Sequence, residues 1–184
     1  MTRKHIYLAG PDVFWSNAVE AGAAKVELCR EFGFSGHFPL DTALELADME
    51  PFRAGIAIYT ANIELMNRCD LIIANMTPFR GPSMDVGTAF EIGYMTAQGK
   101  PVWGYSLDGR LYSDRVPHQR GINTEGMSVE TFDMVDNLMM VGAMDNSDGT
   151  IITPPVTQPP LPQDLNSHLE LFRILLERIN AAQR

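Results

Sequence analysis

The segment Leu71-Ile-Ile-Ala-Asn75-Met-Thr-Pro-Phe-Arg80-Gly-Pro-Ser-Met-Asp85-Val-Gly-Thr-Ala-Phe90-Glu91-Ile-Gly-Tyr94 reads as a strand, a loop and a helix in succession. It opens on an unbroken apolar, β-branched-rich run, the mark of a central strand covered on both faces in a parallel sheet. Two prolines and a glycine within 77–83 then break regular structure. Asp85 stands where an N-cap belongs, its carboxylate able to accept the free N–H groups of a first helical turn. Gly99, Lys100 and Pro101 supply the stop signals. Between them Val86, Gly87, Ala89, Phe90, Ile92, Gly93, Met95 and Ala97 make the helix apolar on nearly every side, which predicts a core element. Glu91 falls in its second turn. An unpaired charge taken into such surroundings is costly, roughly several kcal/mol, so a carboxylate kept there is a candidate for chemistry. The plain alternative is a glutamate on a strip of helix that reaches water.

Working outward, His5-Ile-Tyr-Leu-Ala9 predicts a short buried strand ended by Gly10-Pro11. Residues 17–32 carry a helical pattern with Ala21, Ala24, Val26 and Leu28 on the inner face. Residues 34–38 read as a weaker second strand, and 40–49 as loop or a short helical turn. Pro51 suits the first turn of a helix running to Arg68. Val102-Trp-Gly-Tyr105 is a further strand, 108–125 a polar connection, and 134–144 mixed helix and loop. After a Pro-rich stretch at 153–162, Leu165, Leu169, Phe172, Leu175, Leu176 and Ile179 give an amphipathic C-terminal helix. Strands alternating with helices predict a three-layer α/β domain with a mostly parallel sheet. Ligands bind such sheets beyond the C-terminal strand ends, which would bring Ala9-Gly10-Pro11, residues 75–83 and Asp85 to one pocket.

At 184 residues the chain fits one domain, residues 1–184, with the segment 153–184 appended to it. A formal net charge of −9 weighs against a nucleic-acid polymer or an anionic membrane as partner. It leaves a small nucleoside-like ligand open. Cys29 and Cys69 form no CxxC pair, so there is neither a disulfide framework nor a zinc signature, and a reducing compartment is expected. The apolar run after Arg3-Lys4 stops at Gly10-Pro11, too short for a signal peptide. No stretch approaches the roughly 20 apolar residues of a membrane helix. The expectation is a soluble cytoplasmic protein without a metal site.

Tyr7-Leu-Ala-Gly-Pro11, Cys69-Asp70 before a strand, Pro78-Phe-Arg-Gly81 and Asp85-Val-Gly-Thr-Ala-Phe-Glu91-Ile-Gly-Tyr94 together resemble the nucleoside 2-deoxyribosyltransferase family. The likeness runs from Lys4 to Tyr105 and returns at Asn137-Leu-Met139. It implies a flavodoxin-like three-layer sandwich with a mostly parallel five-stranded sheet. The activity it implies is exchange of the nucleobase of a 2′-deoxyribonucleoside, with free nucleobases as co-substrates and no cofactor. By the same resemblance Glu91 is the nucleophile that forms a covalent deoxyribosyl-enzyme, Tyr7 orients its carboxylate, and Asp85 contacts the base and aids proton transfer. Gly10, Phe14 and Asn62 belong to the substrate site. Asn137, with Met139 close by, is lent by a neighbouring subunit to hold the sugar hydroxyls, which implies a homo-oligomer with shared active sites.

Each residue also has a bland reading. Tyr7 could be a core tyrosine whose hydroxyl found a carbonyl, Asp85 only a cap, Asn137 a turn residue bonded to its own backbone, and Met139 core filling. Two features depart from parts of the family: Asn62 stands where some members carry an aspartate, and the chain runs on through the Pro-rich stretch where others end in an aromatic residue. Two rival functions remain at this level. One is an N-glycoside hydrolase of deoxynucleoside 5′-monophosphates or a modified nucleotide, for which Arg53 or Arg80 could reach a phosphate, although Gly10-Pro-Asp-Val-Phe14-Trp15 makes a poor phosphate cradle. The other is a non-catalytic nucleoside-binding module on the same fold.

Overall fold

Alternation along β1 (His5–Ala9) organises the molecule: Ile6 and Leu8 face one side of the sheet, Tyr7 and Ala9 the other. The computed structural model describes residues 3–39, 46–155 and 164–182. In it β1, β2 (Ser35–His37), β3 (Leu71–Asn75), β4 (Val102–Tyr105) and β7 (Ile151–Ile152) form a five-stranded sheet in the order β2-β1-β3-β4-β7. Every pairing is parallel, with Tyr7 in register with His37 and Ile72, and Ala74 with Gly104. Counting only strands of this sheet, the order is 2-1-3-4-5, the flavodoxin-like arrangement.

Helices α1 (Ala18–Glu31) and α6 (Leu165–Ala182) cover one face, where Ile6, Leu8, Leu71, Ile73, Trp103 and Tyr105 pack with Leu28, Phe172, Leu175 and Leu176. Helices α2 (Pro51–Arg68), α3 (Val86–Ala97) and α5 (Leu138–Asn146) cover the other. There Tyr7, Ala9, Ile72, Ala74 and Val102 meet Leu65, Met66, Ile92, Met95 and Met144. Helix α6 thus contributes Leu171, Phe172, Leu175, Leu176 and Ile179 to the core.

Several elements differ from the sequence reading. Helix α3 is not buried all round: Ile92 and Met95 face the sheet, but Val86 is 84% exposed and Phe90 51%. An apolar composition fixed which residues the helix has, not what covers each face of it. The polar connection contains a short helix, α4 (Tyr112–Arg115), and a two-stranded antiparallel ribbon of β5 (His118–Gln119) and β6 (Ile122–Asn123). Arg120 and Gly121 turn that ribbon with φ of 51° and 78°, as a two-residue hairpin of matching twist requires. Strand β7 follows Gly149, where any Cβ would collide with the carbonyl oxygen of Val102. Residues 40–45 of the expected loop at 40–49, and 156–162 of the Pro-rich stretch, lie outside the described residues.

The inner face of α1 is also different. Ala21 and Leu28 are buried as expected, Ala24 and Val26 only partly, and Lys25 is fully inside. Its ammonium pairs with Asp12 Oδ2 at 2.8 Å and lies 5.4 Å from the centre of the Tyr105 ring. Asn75 Nδ2 donates to Asp12 Oδ1 at 3.1 Å, and His168 of α6 sits beside it at 3.3 Å. Burial, the larger influence, pulls the His168 pKa down to about 4, so its ring is neutral near pH 7. Gly10 closes β1 against this cluster: a Cβ there would meet Asp12 Oδ2 at 2.5 Å and Asn75 Cβ at 2.7 Å.

Candidate active site

Tyr7 and Glu91 meet beneath α2 and α3. The strand alternation that sends Tyr7 to this face buries its ring completely, and α3 brings Glu91 over it one and a half turns after the cap. The Tyr7 hydroxyl donates to Glu91 Oε1 at 2.5 Å. Burial pushes the Glu91 carboxyl up to about 7; the Tyr7 hydrogen bond works against that rise, and the nearby Asp85 charge adds to it. Burial and the facing carboxylate both drive the Tyr7 pKa far upward, so Tyr7 remains a donor. One oxygen of Glu91 is therefore held, while Oε2 has no hydrogen bond to the protein among the described residues.

Glu91 lines a cleft of about 300 Å³ between α2 and α3. Tyr59, Asn62, Ile63 and Met66 of α2 form one wall, and Gly87 and Phe90 of α3 the other. Gly87 leaves the α3 wall without a side chain two residues past Asp85, where a Cβ would touch Asp85 Oδ2 at 3.0 Å. Asp85 caps α3 as the sequence indicated: Oδ2 accepts from the Thr88 N–H at 3.0 Å and from its hydroxyl at 3.3 Å. Its Oδ1 has no hydrogen bond among the described residues. The cap thus occupies one oxygen of Asp85 and leaves the other available.

The other expected residues lie elsewhere. Phe14 is stacked on Phe79 with ring centres 5.2 Å apart, and Arg80 lays its guanidinium over both rings. Phe14 lines a separate pocket of about 110 Å³ with Pro11, Trp15, Asn75, Thr77 and His168. The loops after β1 and β3 therefore converge, but on the α1 and α6 side, because Asp12 is drawn to Lys25 across the sheet from Glu91. Asn137 caps α5: its Oδ1 accepts from Met139 N at 3.0 Å and its Nδ2 donates to Glu130 at 2.7 Å. Met139 is exposed, and neither residue lines the Glu91 cleft of its own chain. Tyr59 and Phe90, which wall the cleft, were missed; as outward aromatics on two helices they carry no signal until the helices are placed side by side. Lys25 could have been found, since it falls on the 21, 25, 28 spacing of the inner face.

A family model described as nucleoside 2-deoxyribosyltransferase matches residues 6–139. The chain belongs to the nucleoside 2-deoxyribosyltransferase family. A 2-desoxiribosyltransferase from Leishmania mexicana is similar in structure, with a TM-score of 0.62 and 34% identity over 74% of this chain and 85% of that one. A 2-deoxyribosyltransferase from Bacillus psychrosaccharolyticus shares the fold, with a TM-score of 0.54 at 20% identity, covering 76% of this chain and 82% of that one. In sequence, the uncharacterized protein C191.05c of Schizosaccharomyces pombe is 42% identical over 117 residues. That match takes in 62% of this chain and only 56% of the relative's length.

Proposed function

We propose that this member of the family exchanges the nucleobase of 2′-deoxyribonucleosides through a covalent ester on Glu91. The observation that carries the reading is the Tyr7–Glu91 hydrogen bond at 2.5 Å, with the second carboxylate oxygen left free beside the cleft. Cleavage of the N-glycosidic bond builds positive charge on C1′ and negative charge on the departing base. Glu91 Oε2 attacks C1′ from the face opposite the base, the C1′–N bond breaks with its electron pair going to the base, and a proton reaches that base through Asp85. The incoming base then attacks C1′, displaces the carboxylate and returns the proton. Two inversions give retention. The Tyr7 hydroxyl keeps Glu91 in one rotamer and favours its charged form, which the buried setting opposes.

Asn62 lines the cleft and offers the base an amide donor and acceptor, and Tyr59 and Phe90 offer it flat apolar walls. Among the described residues no cationic side chain lines the cleft, and Arg80 is occupied by the Phe14 and Phe79 rings, while Arg53 packs over Phe52. This supports an uncharged 5′-hydroxyl over a 5′-phosphate, and so a deoxynucleoside over a deoxynucleotide. In this reading Gly10 and Phe14, which lie on the other side of the sheet, take no part in the Glu91 cleft, and Asn137 and Met139 serve the site of a neighbouring copy in a homo-oligomer. The exposed apolar residues Phe52, Val86, Phe90 and Met139 support such an assembly. None of the described helices is long and apolar enough to cross a membrane. The test is chromatography after incubation with thymidine or deoxyinosine, each with and without adenine. New deoxyadenosine only when adenine is present is the expected result. Free base without a new nucleoside would make it a hydrolase, and faster turnover of deoxynucleoside monophosphates would overturn the unphosphorylated substrate.

A further inference from the structure

Asp136 lies outside the cleft, is fully buried, and is bonded to the segments that lead into both Asp85 and Asn137. Its Oδ1 accepts from the Ser83 hydroxyl and from the Asn137 N–H at 2.8 Å. Its Oδ2 accepts from the Met84 N–H at 3.0 Å and faces the Arg115 guanidinium at 3.5 Å. Met84 immediately precedes Asp85, the cap of α3, and Asn137 is the cap of α5. One carboxylate therefore fixes the backbone at the entry of two helices whose capping residues serve, in the proposed assembly, the site of this chain and the site of a neighbouring copy.

Arg115 completes the arrangement. Its side chain is buried, it donates to the Val135 carbonyl, and its Nε and Nη1 have no partner among the described residues. A guanidinium so poorly bonded is held inside by its charge partner rather than by its own hydrogen bonds. The loop at 77–83 is closed by the Phe79 N–H donating to the Ser83 carbonyl at 3.0 Å; beyond it Asp85 is placed by its cap to Thr88, by its carbonyl accepting from Ala89 N–H, and by this anchor one residue upstream. Proton transfer falls steeply when a donor is displaced by about 1 Å, which makes that anchor matter for chemistry as well as for folding.

We propose that Asp136 is a positioning residue of the active site: paired with Arg115, it sets Asp85 over the leaving base and ties that placement to Asn137. The inference rests on the roles given to Asp85 and Asn137 in the proposed function. In Asp136→Asn the side chain keeps its shape but turns one acceptor into a donor that faces an N–H, so either Met84 or the Ser83 and Asn137 pair loses its bond. The effect should appear where Asp85 works, in protonation of the leaving base.

The experiment compares deoxyinosine with 7-methyl-2′-deoxyinosine, whose cationic base departs without needing a proton, each with adenine as acceptor. For Asp136→Asn, kcat with deoxyinosine is expected to fall ~10- to 100-fold, and with the methylated donor by less than ~3-fold. Ser83→Ala, which leaves the Met84, Asn137 and Arg115 contacts in place, should show the same selectivity at a smaller size and decides the matter if Asp136→Asn does not fold. A purely structural role lowers the amount of active protein and reduces both donors equally; equal losses, or none, would overturn the proposal. An Asp85→Asn control that is selective while both other variants are not overturns the role of Asp136 alone. Absence of turnover of either donor by the unaltered protein instead removes the functional reading, and with it this one.

Discussion

Replacing Tyr7 with phenylalanine removes one hydroxyl and leaves the ring to fill the same space, so its consequence can be worked out from the site. That hydroxyl is the hydrogen-bond donor to Glu91, at 2.5 Å, and it favours the charged carboxylate against the burial that disfavours it. A hydrogen bond to a charged group is worth about 1.5–3 kcal/mol, and one pKa unit corresponds to about 1.4 kcal/mol. Losing the donor should therefore raise the Glu91 pKa from about 7 by about 1–2 units. Nucleophilic attack needs the carboxylate, so the acid limb of the pH–kcat profile should move to higher pH by that amount. Activity at pH 7 should fall roughly 5- to 50-fold and much of it should return by pH 9. The assay is initial-rate base exchange at saturating deoxyinosine and adenine from pH 5 to 10. An acid limb that stays in place in an active Tyr7→Phe variant would refute the claim that Tyr7 tunes Glu91.

The same carboxyl makes a stability prediction. Its pKa is raised from 4.5 to about 7 in the folded protein, so its contribution is intact below pH 4.5 and lost as pH rises through 7. Glu91→Gln should accordingly be more stable to urea unfolding than the unaltered protein at pH 8, by up to ~3 kcal/mol, with the gap closing near pH 4.5; an equal gap at both pH values would exclude burial of the charge as its cause. Lys25→Met leaves the buried Asp12 carboxylate without its ion pair and should cost about 3–5 kcal/mol in urea unfolding. Adding Asp12→Asn should restore much of the loss, whereas a single variant as stable as the parent would show the pair to be unimportant. Asn62→Ala removes one hydrogen-bonding side chain from the cleft and should lower kcat/KM for deoxyinosine ~5-fold, about 1 kcal/mol; an unchanged value would place the base elsewhere.

The strand, loop and helix of 71–97 were readable because each part has its own local chemistry: β-branched residues for a strand covered on both faces, prolines for the loop, and a carboxylate at the cap. Tyr7 and Glu91 were readable as a pair only through the family pattern, since they lie 84 positions apart and no local rule joins them. What escaped were features made by long-range packing. Strand β7 has two residues and no period to detect, and the β5–β6 ribbon is shorter than any alternation. The exposure of Val86 and Phe90 depends on which helix face meets the sheet, which apolar composition alone does not specify. Asp136 looked like one acid among many until Ser83, Met84 and Asn137 were seen to point at it.

The measurement that bears most directly on the central claim is trapping of the intermediate. The protein is mixed with deoxyinosine without an acceptor base, quenched in acid within a turnover, digested and examined by mass spectrometry. The mechanism predicts one deoxyribosyl group, esterified to the peptide carrying Glu91 and absent from Glu91→Ala. Base exchange at full rate with no adduct, or an adduct on a different side chain, would contradict it.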